Sequence, residues 1–218
     1  MSEQMTRRRF VKVTATAVGL AALGGGGYMA VEWAPDEEYG EYPRMTIGDG
    51  MSRVLVVYGT KTGCTAGIAE QIGGTIAETG ATVDVVPAGD GPDAAGYDAV
   101  IVGSGVRVGS WHPFVKEWAT TQAGTLKSVP VAFFTACLTM ATDPDKADEV
   151  RAYTDPLIEA TGVKPVDIGL FAGMNDPKKF SLPERLIMKA MKAPQGDFRD
   201  MDAVAEWTRD VVGKLGLS

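Results

Sequence analysis

The sequence predicts an α/β domain built on a doubly wound, five-stranded parallel sheet. Three observations carry this. Short β-branched runs recur between turn residues, stretches of helical spacing separate them, and a hydroxyl-rich loop leads from the first run straight into a helix. Arg53–Tyr58 (RVLVVY) is apolar almost throughout and bounded by Gly59, the signature of a strand buried on both faces. Thr65–Thr79 has helical spacing, with Ile68, Ile72 and Ile76 on one face. Ala81–Val86 is the second strand, and the turn-rich Asp90–Gly96 leads to the third, Tyr97–Gly103 (YDAVIVG). A helix is expected over Pro113–Gln122, a fourth strand over Val129–Thr135, and a helix over Pro144–Thr161 with Asp143 as its cap. Val166–Ala172 is the fifth strand and Asp202–Leu215 the last helix. Right-handed crossovers gather the loops after the strands at one edge, where such sheets bind ligands.

This domain, residues 51–218, is large enough for a sizeable core. The chain carries a net charge of -7, which argues against general nucleic-acid binding. Its two cysteines exclude a disulfide scaffold, and one histidine without a Cys-x-x-Cys argues against a metal site. No internal repeat is present.

The residues ahead of the domain fall into two parts. Thr6-Arg7-Arg8-Arg9-Phe10-Val11-Lys12 resembles a twin-arginine export signal, the address of proteins that cross a membrane already folded. Val13–Val31 is uncharged and approaches the length of a membrane span, although Gly24–Gly27 weaken its hydrophobicity. No good small-x-small cleavage site follows, so residues 1–31 are a cleaved signal or a retained signal-anchor. Residues 32–50 carry Glu32, Asp36, Glu37, Glu38, Glu41 and Asp49 with little apolar content, and are expected to be an extended acidic spacer. Met51 is an alternative start for a cytoplasmic form.

The loop after the first strand reads Gly59-Thr60-Lys61-Thr62-Gly63-Cys64-Thr65. It lacks the Gly-Lys-Ser/Thr ending of a P-loop and the Gly-x-Gly-x-x-Gly of a dinucleotide turn. Instead, hydroxyls and free N–H groups converge on a helix N-terminus, where the helix dipole adds positive charge. That arrangement can hold a phosphate without an arginine and suits the monophosphate of FMN.

In this loop the chain resembles the flavodoxin family, and it looks closest to the flavodoxin-like, menaquinone-dependent protoporphyrinogen oxidases. Three further segments carry the resemblance: Gly103-Ser104-Gly105-Val106-Arg107-Val108-Gly109, Pro130-Val131-Ala132-Phe133-Phe134, and Ala172-Gly173 leading to Arg185-Leu186-Ile187-Met188-Lys189. The resemblance implies strand order 2-1-3-4-5 and FMN as cofactor, with Thr60, Lys61, Thr62, Gly63, Cys64 and Thr65 at its phosphate. Its ring would lie between Ser104, Gly105, Val106, Arg107, Val108 and Gly109 on one side and Thr135, Ala136, Cys137 and Leu138 on the other. Ordinary short flavodoxins lack the stretch from Gly173 to Gly196.

Two residues are candidates for catalysis. Arg107 at the ring would stabilise the reduced, anionic flavin by roughly 3 kcal/mol at about 6 Å and an effective dielectric near 20, raising its potential. Its alternative is a solvated side chain or a surface ion pair. His112, the only histidine, either starts a helix facing solvent or stands at the ring edge as a proton relay. Trp111 can stack on a ring or pack in the core. Cys64 sits at a helix start, which lowers a thiol's pKa; the strand order keeps it too far from Cys137 for a disulfide. The 173–196 stretch is basic (Lys178, Lys179, Arg185, Lys189, Lys192) with an apolar helical face of Leu182, Leu186, Ile187, Ala190 and Met191. It either lies on an anionic membrane and meets a lipid-soluble quinone, or packs back on the domain.

Two functions follow. One is an FMN-dependent oxidoreductase passing electrons from an organic substrate, such as protoporphyrinogen IX, to a quinone. The other is an exported or membrane-tethered flavodoxin that only carries electrons. Expected partners are the quinone, a small-molecule or porphyrinogen substrate, a membrane surface and the twin-arginine export machinery. The expected location is the extracytoplasmic face of the membrane.

Overall fold

A computed structural model describes residues 42, 44–107 and 109–217. The export signal or anchor read at 1–31 lies outside the described residues, as does most of the 32–50 segment. The strands are β1 (Met45–Ile47), β2 (Arg53–Gly59), β3 (Thr82–Pro87), β4 (Ala99–Arg107), β5 (Ser110–Trp111), β6 (Val131–Cys137), β7 (Ile168–Ala172), β8 (Met174–Asn175) and β9 (Gly196–Asp197). The helices are α1 (Cys64–Ala77), α2 (Pro113–Thr121), α3 (Ala123–Leu126), α4 (Thr139–Thr142), α5 (Ala147–Ala152), α6 (Asp155–Thr161), α7 (Leu182–Ala190) and α8 (Met201–Lys214).

The main sheet runs β1-β3-β2-β4-β6-β7. Its five long strands are mutually parallel. Two short strands make it a mixed sheet rather than a purely parallel one. β5 folds back antiparallel on β4, pairing Arg107 with Ser110, and β1 adds antiparallel to β3 at the edge, pairing Thr46 with Asp84. Part of the expected acidic spacer is therefore strand. Three residues between polar neighbours are too short to show a period, but an open sheet edge gives them partners.

Alternation along β2 divides the core. Val54, Val56 and Tyr58 face one side with Ile68, Ile72 and Ile76 of α1, joined there by Val211 of α8. Leu55 and Val57 face the other with Trp118 of α2 and Leu157 of α6. All three isoleucines of α1 are fully buried, as their spacing predicts. At roughly 1.5–3 kcal/mol for each fully buried aliphatic side chain, this stripe is a main reason α1 docks as it does.

The expected helix over 144–161 is two helices and a preceding 3-10 turn. Pro156 has no N–H to donate and its ring clashes with the preceding turn, so the helix restarts at Asp155. Asp143 makes no side-chain cap. At α8 the cap is Asp200, whose carboxylate accepts the N–H of Ala203 at 2.9 Å.

Candidate functional site

The register of the sheet lines up the ends of three adjacent strands. Gly59 of β2 pairs with Ser104 of β4, and Ser104 with Thr135 of β6. The three loops singled out by the sequence therefore emerge side by side.

The first loop, 60–63, delivers α1. Thr60 is buried and its Oγ1 accepts the N–H of Gly63 at 3.0 Å, which closes the loop. Gly63 has φ of 83°, a left-handed conformation that favours glycine. No side chain caps α1, so its first-turn N–H groups and dipole are available to an anion. Thr65 is buried, and a Cβ on Gly105 would stand 3.0 Å from its Oγ1. The first two loops thus touch where Gly105 keeps the backbone bare.

The second loop is the β4–β5 hairpin, with Gly109 at φ of 72° in its turn; Val108 lies outside the described residues. Two hydroxyls expected at the cofactor turn out to hold this hairpin. Ser104 Oγ accepts the N–H of His112 at 2.8 Å and donates to the carbonyl of Gly105. Thr135 Oγ1 accepts the indole N–H of Trp111 at 3.1 Å. Both Ser104 and Thr135 are fully buried, so these residues position the loops from beneath. Trp111 packs edge-on against Phe133 and belongs to the core. In the third loop Ala136 and Cys137 end β6, and Leu138 leads into α4.

His112 does not face solvent as the first of its two readings expects. It starts α2, but it faces inward at 1% exposure, and its Nδ1 accepts the N–H of Phe114 at 3.3 Å. Burial, with the nearby charge of Lys116, lowers its pKa to about 4. The ring is therefore neutral at neutral pH.

Cys64 is also corrected. It begins α1, yet burial raises its pKa rather than lowering it. Both Cys64 and Cys137 are buried free thiols, as the separation of their strands predicts.

The stretch 173–199 supplies what sequence reasoning missed. Phosphate-loop backbone is held by Lys179, whose Nζ donates to the carbonyl of Thr62 at 2.6 Å, and by Arg199, which donates to that of Cys64 at 3.3 Å. Tyr42 adds a bond from its hydroxyl to the carbonyl of Lys61 at 3.0 Å. Glu184 of α7 reaches two loops at once. Its Oε1 lies 2.8 Å from Lys61 Nζ and 2.6 Å from Arg107 Nη2. Its Oε2 accepts the N–H and hydroxyl of Ser181 at 2.8 and 2.6 Å. Burial raises this carboxyl, but the bonds from Lys61 and Ser181 and the charge of Arg107 outweigh it and hold the pKa at about 2. Arg107 is in an ion pair, with a buried rather than a surface partner. The only hint in the sequence is a glutamate amid cations.

The uncapped start of α1 offers its N–H groups to a phosphate, Lys61 and Lys179 are held beside it by Glu184 and by the carbonyl of Thr62, and glycine keeps the backbone bare at Gly105 and Gly109. The residues fit FMN. They define an FMN-binding α/β domain, and residues 55–202 match the flavodoxin domain family. The chain belongs to that family, and FMN is its cofactor.

Among curated relatives, protoporphyrinogen IX dehydrogenase (quinone) of Escherichia coli K12 is 24% identical over 170 residues, 73% of this chain and 94% of the relative. The enzyme of the same name from Leishmania major is 26% identical over 149 residues, 66% of this chain and 64% of the relative. Oxidised flavodoxin 2 of Bacillus cereus shares the fold with a TM-score of 0.50 at 15% identity, covering 75% of this chain and 99% of that one.

Proposed function

We propose that this protein is an FMN-dependent oxidoreductase that takes electrons from a porphyrinogen-type organic substrate and passes them to a membrane quinone, forming the quinol. The observation that carries the reading is the 173–199 segment, folded onto both cofactor loops through Lys179, Glu184 and Arg199. The match to quinone-linked protoporphyrinogen IX dehydrogenases spans most of the domain and supports it.

FMN, when bound, supplies a ring that is reduced by the substrate and reoxidised by the quinone. The chain's own residues do the rest. The 60–65 loop and α1 hold the phosphate, the hairpin around Gly105 and Gly109 lets backbone approach the ring, and Ser104 and Thr135 fix that hairpin. Arg107 brings positive charge to the ring loop, moderated by Glu184.

The outer side of α7 fits a membrane acceptor. Leu182 and Leu186 are 70% and 61% exposed, Met191 just beyond them is 71% exposed, and Arg185, Lys189 and Lys192 are exposed around them. Apolar side chains ringed by cations suit an anionic lipid surface. Among the described residues no helix is long and apolar enough to cross a membrane. The twin-arginine-like start supports the extracytoplasmic face as its location.

One observation favours the second reading, an exported electron carrier. Glu184 cancels part of the positive charge that Arg107 brings, which lowers the flavin potential relative to an unpaired arginine. Steady-state turnover of full-length protein with protoporphyrinogen IX and a soluble menaquinone analogue separates the two. Quinone-dependent appearance of protoporphyrin supports the oxidoreductase. A protein that binds FMN without such turnover, and has a very low one-electron potential, is the carrier.

A further inference from the structure

Glu184 bridges two loops of the cofactor cradle, and it comes from a segment outside the five-stranded core. One of its oxygens serves Lys61 and Arg107 together; the other is occupied by Ser181. All three long side chains are largely buried, with 16%, 19% and 10% exposure for Lys61, Arg107 and Glu184. Screening by salt is therefore weak here, and a unit of charge acts over a longer range than on the surface.

We propose that Glu184 is a positioning residue of the FMN site: it holds Lys61 and Arg107 at their loops and cancels one of their two charges, and so sets how much more tightly the reduced flavin is held than the oxidised one. Lys61, Arg107 and Glu184 together carry a charge of +1. Replacing Glu184 by glutamine keeps the shape and gives +2; replacing Arg107 by glutamine gives 0. The phosphate is present in both redox states, so its interaction with these charges cancels in a comparison between them. The negative charge gained by the ring on reduction does not cancel. A glutamate that merely tethered α7 would alter affinity for both redox states alike.

The same geometry ties α7 to the flavin. Leu182 and Leu186 face solvent, while Glu184, between them in sequence, faces the loops and is buried. The helix thus presents apolar side chains outward and its carboxylate inward, and anything that displaces α7 changes the charge at the cradle.

This role of Glu184 rests on FMN occupying the cradle and is independent of which donor and acceptor the protein serves. The test is to measure dissociation constants for oxidised and reduced FMN, with the midpoint potential, in full-length protein and in E184Q, R107Q and R107Q/E184Q. For E184Q the ratio of oxidised to reduced dissociation constants is expected to rise at least tenfold, equivalent to about 30 mV or more in a two-electron potential. R107Q is expected to shift it as far the other way, and the double variant to return close to the parent. An E184Q ratio equal to the parent's overturns the proposal, whatever happens to overall affinity. Should E184Q not fold, R107Q decides the matter, since a ratio it leaves unmoved is equally fatal. Parent protein that binds no FMN in either state removes the cofactor assignment and the role of Glu184 with it. FMN binding with no porphyrinogen turnover removes only the oxidoreductase reading.

Discussion

The sulfur of Cys64 accepts the N–H of Met174 at 3.1 Å. The bond joins the first residue of the cofactor-binding helix to the first residue of β8, so the start of α1 is set partly by chain that arrives 110 residues later. Burial raises this thiol's pKa and keeps the thiolate scarce. Cys64 is therefore expected to react slowly with a disulfide reagent at pH 8 in the native protein, and two thiols to react at once after denaturation. Rapid native labelling of Cys64, read by mass spectrometry, would contradict the packing described.

Gly63 holds the phosphate loop in its left-handed turn at φ of 83°. Gly63→Ala is expected to cost about 1–2 kcal/mol of stability. A Cβ there would also come within 3.2 Å of the Tyr42 ring. Thermal unfolding and fluorescence titration with FMN are expected to show lower stability together with weaker binding; an alanine variant that binds FMN like the parent would mean the turn is not part of the cradle.

His112 gives the stability a defined pH dependence. Its folded pKa is about 4 against an ordinary 6.5, because burial disfavours the charged form. The unfolded chain takes up the proton first as pH falls. Stability from this group is thus complete above about pH 6.5, declines between 6.5 and 4, and is fully lost below. The maximum contribution is about 3 kcal/mol. Denaturant titrations at pH 7.5 and 4.5 are expected to differ by less in His112→Asn than in the parent, with asparagine keeping a capping acceptor.

The two sides of α7 separate experimentally. Deleting residues 178–192 removes Lys179 and Glu184, so FMN binding is expected to fall along with quinone reduction. L182E/L186E alters only exposed side chains. That variant is expected to keep FMN affinity and lose sedimentation with vesicles containing anionic lipid; undiminished co-sedimentation would argue that the apolar side of α7 does not meet the membrane.

Much of this was legible in the sequence for a physical reason. Strands such as Arg53–Gly59 are buried on both faces and written as unbroken apolar runs, and α1 places three isoleucines at helical spacing. The cradle is local as well, since Thr60, Gly63 and Thr65 follow one another on a single loop. What stayed hidden depends on distance. Glu184 lies 123 residues from Lys61, and nothing in its own neighbourhood distinguishes a buried clasp from a solvated acid in a basic stretch. His112 misled for a related reason: one histidine beside a proline gives a helix start but not the direction its ring takes, which depends on the hydroxyl of Ser104 holding its backbone.

The edge strand β1 bears on where translation can usefully begin. β1 covers the outer rim of β3, Thr46 and Arg53 both bind Asp84, and Tyr42 closes over Lys61. A polypeptide initiated at Met51 would lack β1 and Tyr42. It would leave β3 as a bare rim of unsatisfied backbone groups, an invitation to self-association, and would loosen the very loop that receives the phosphate. The few residues ahead of Met51 thus shield the rim of the sheet and brace the phosphate loop, whatever their more distant neighbours do for its address.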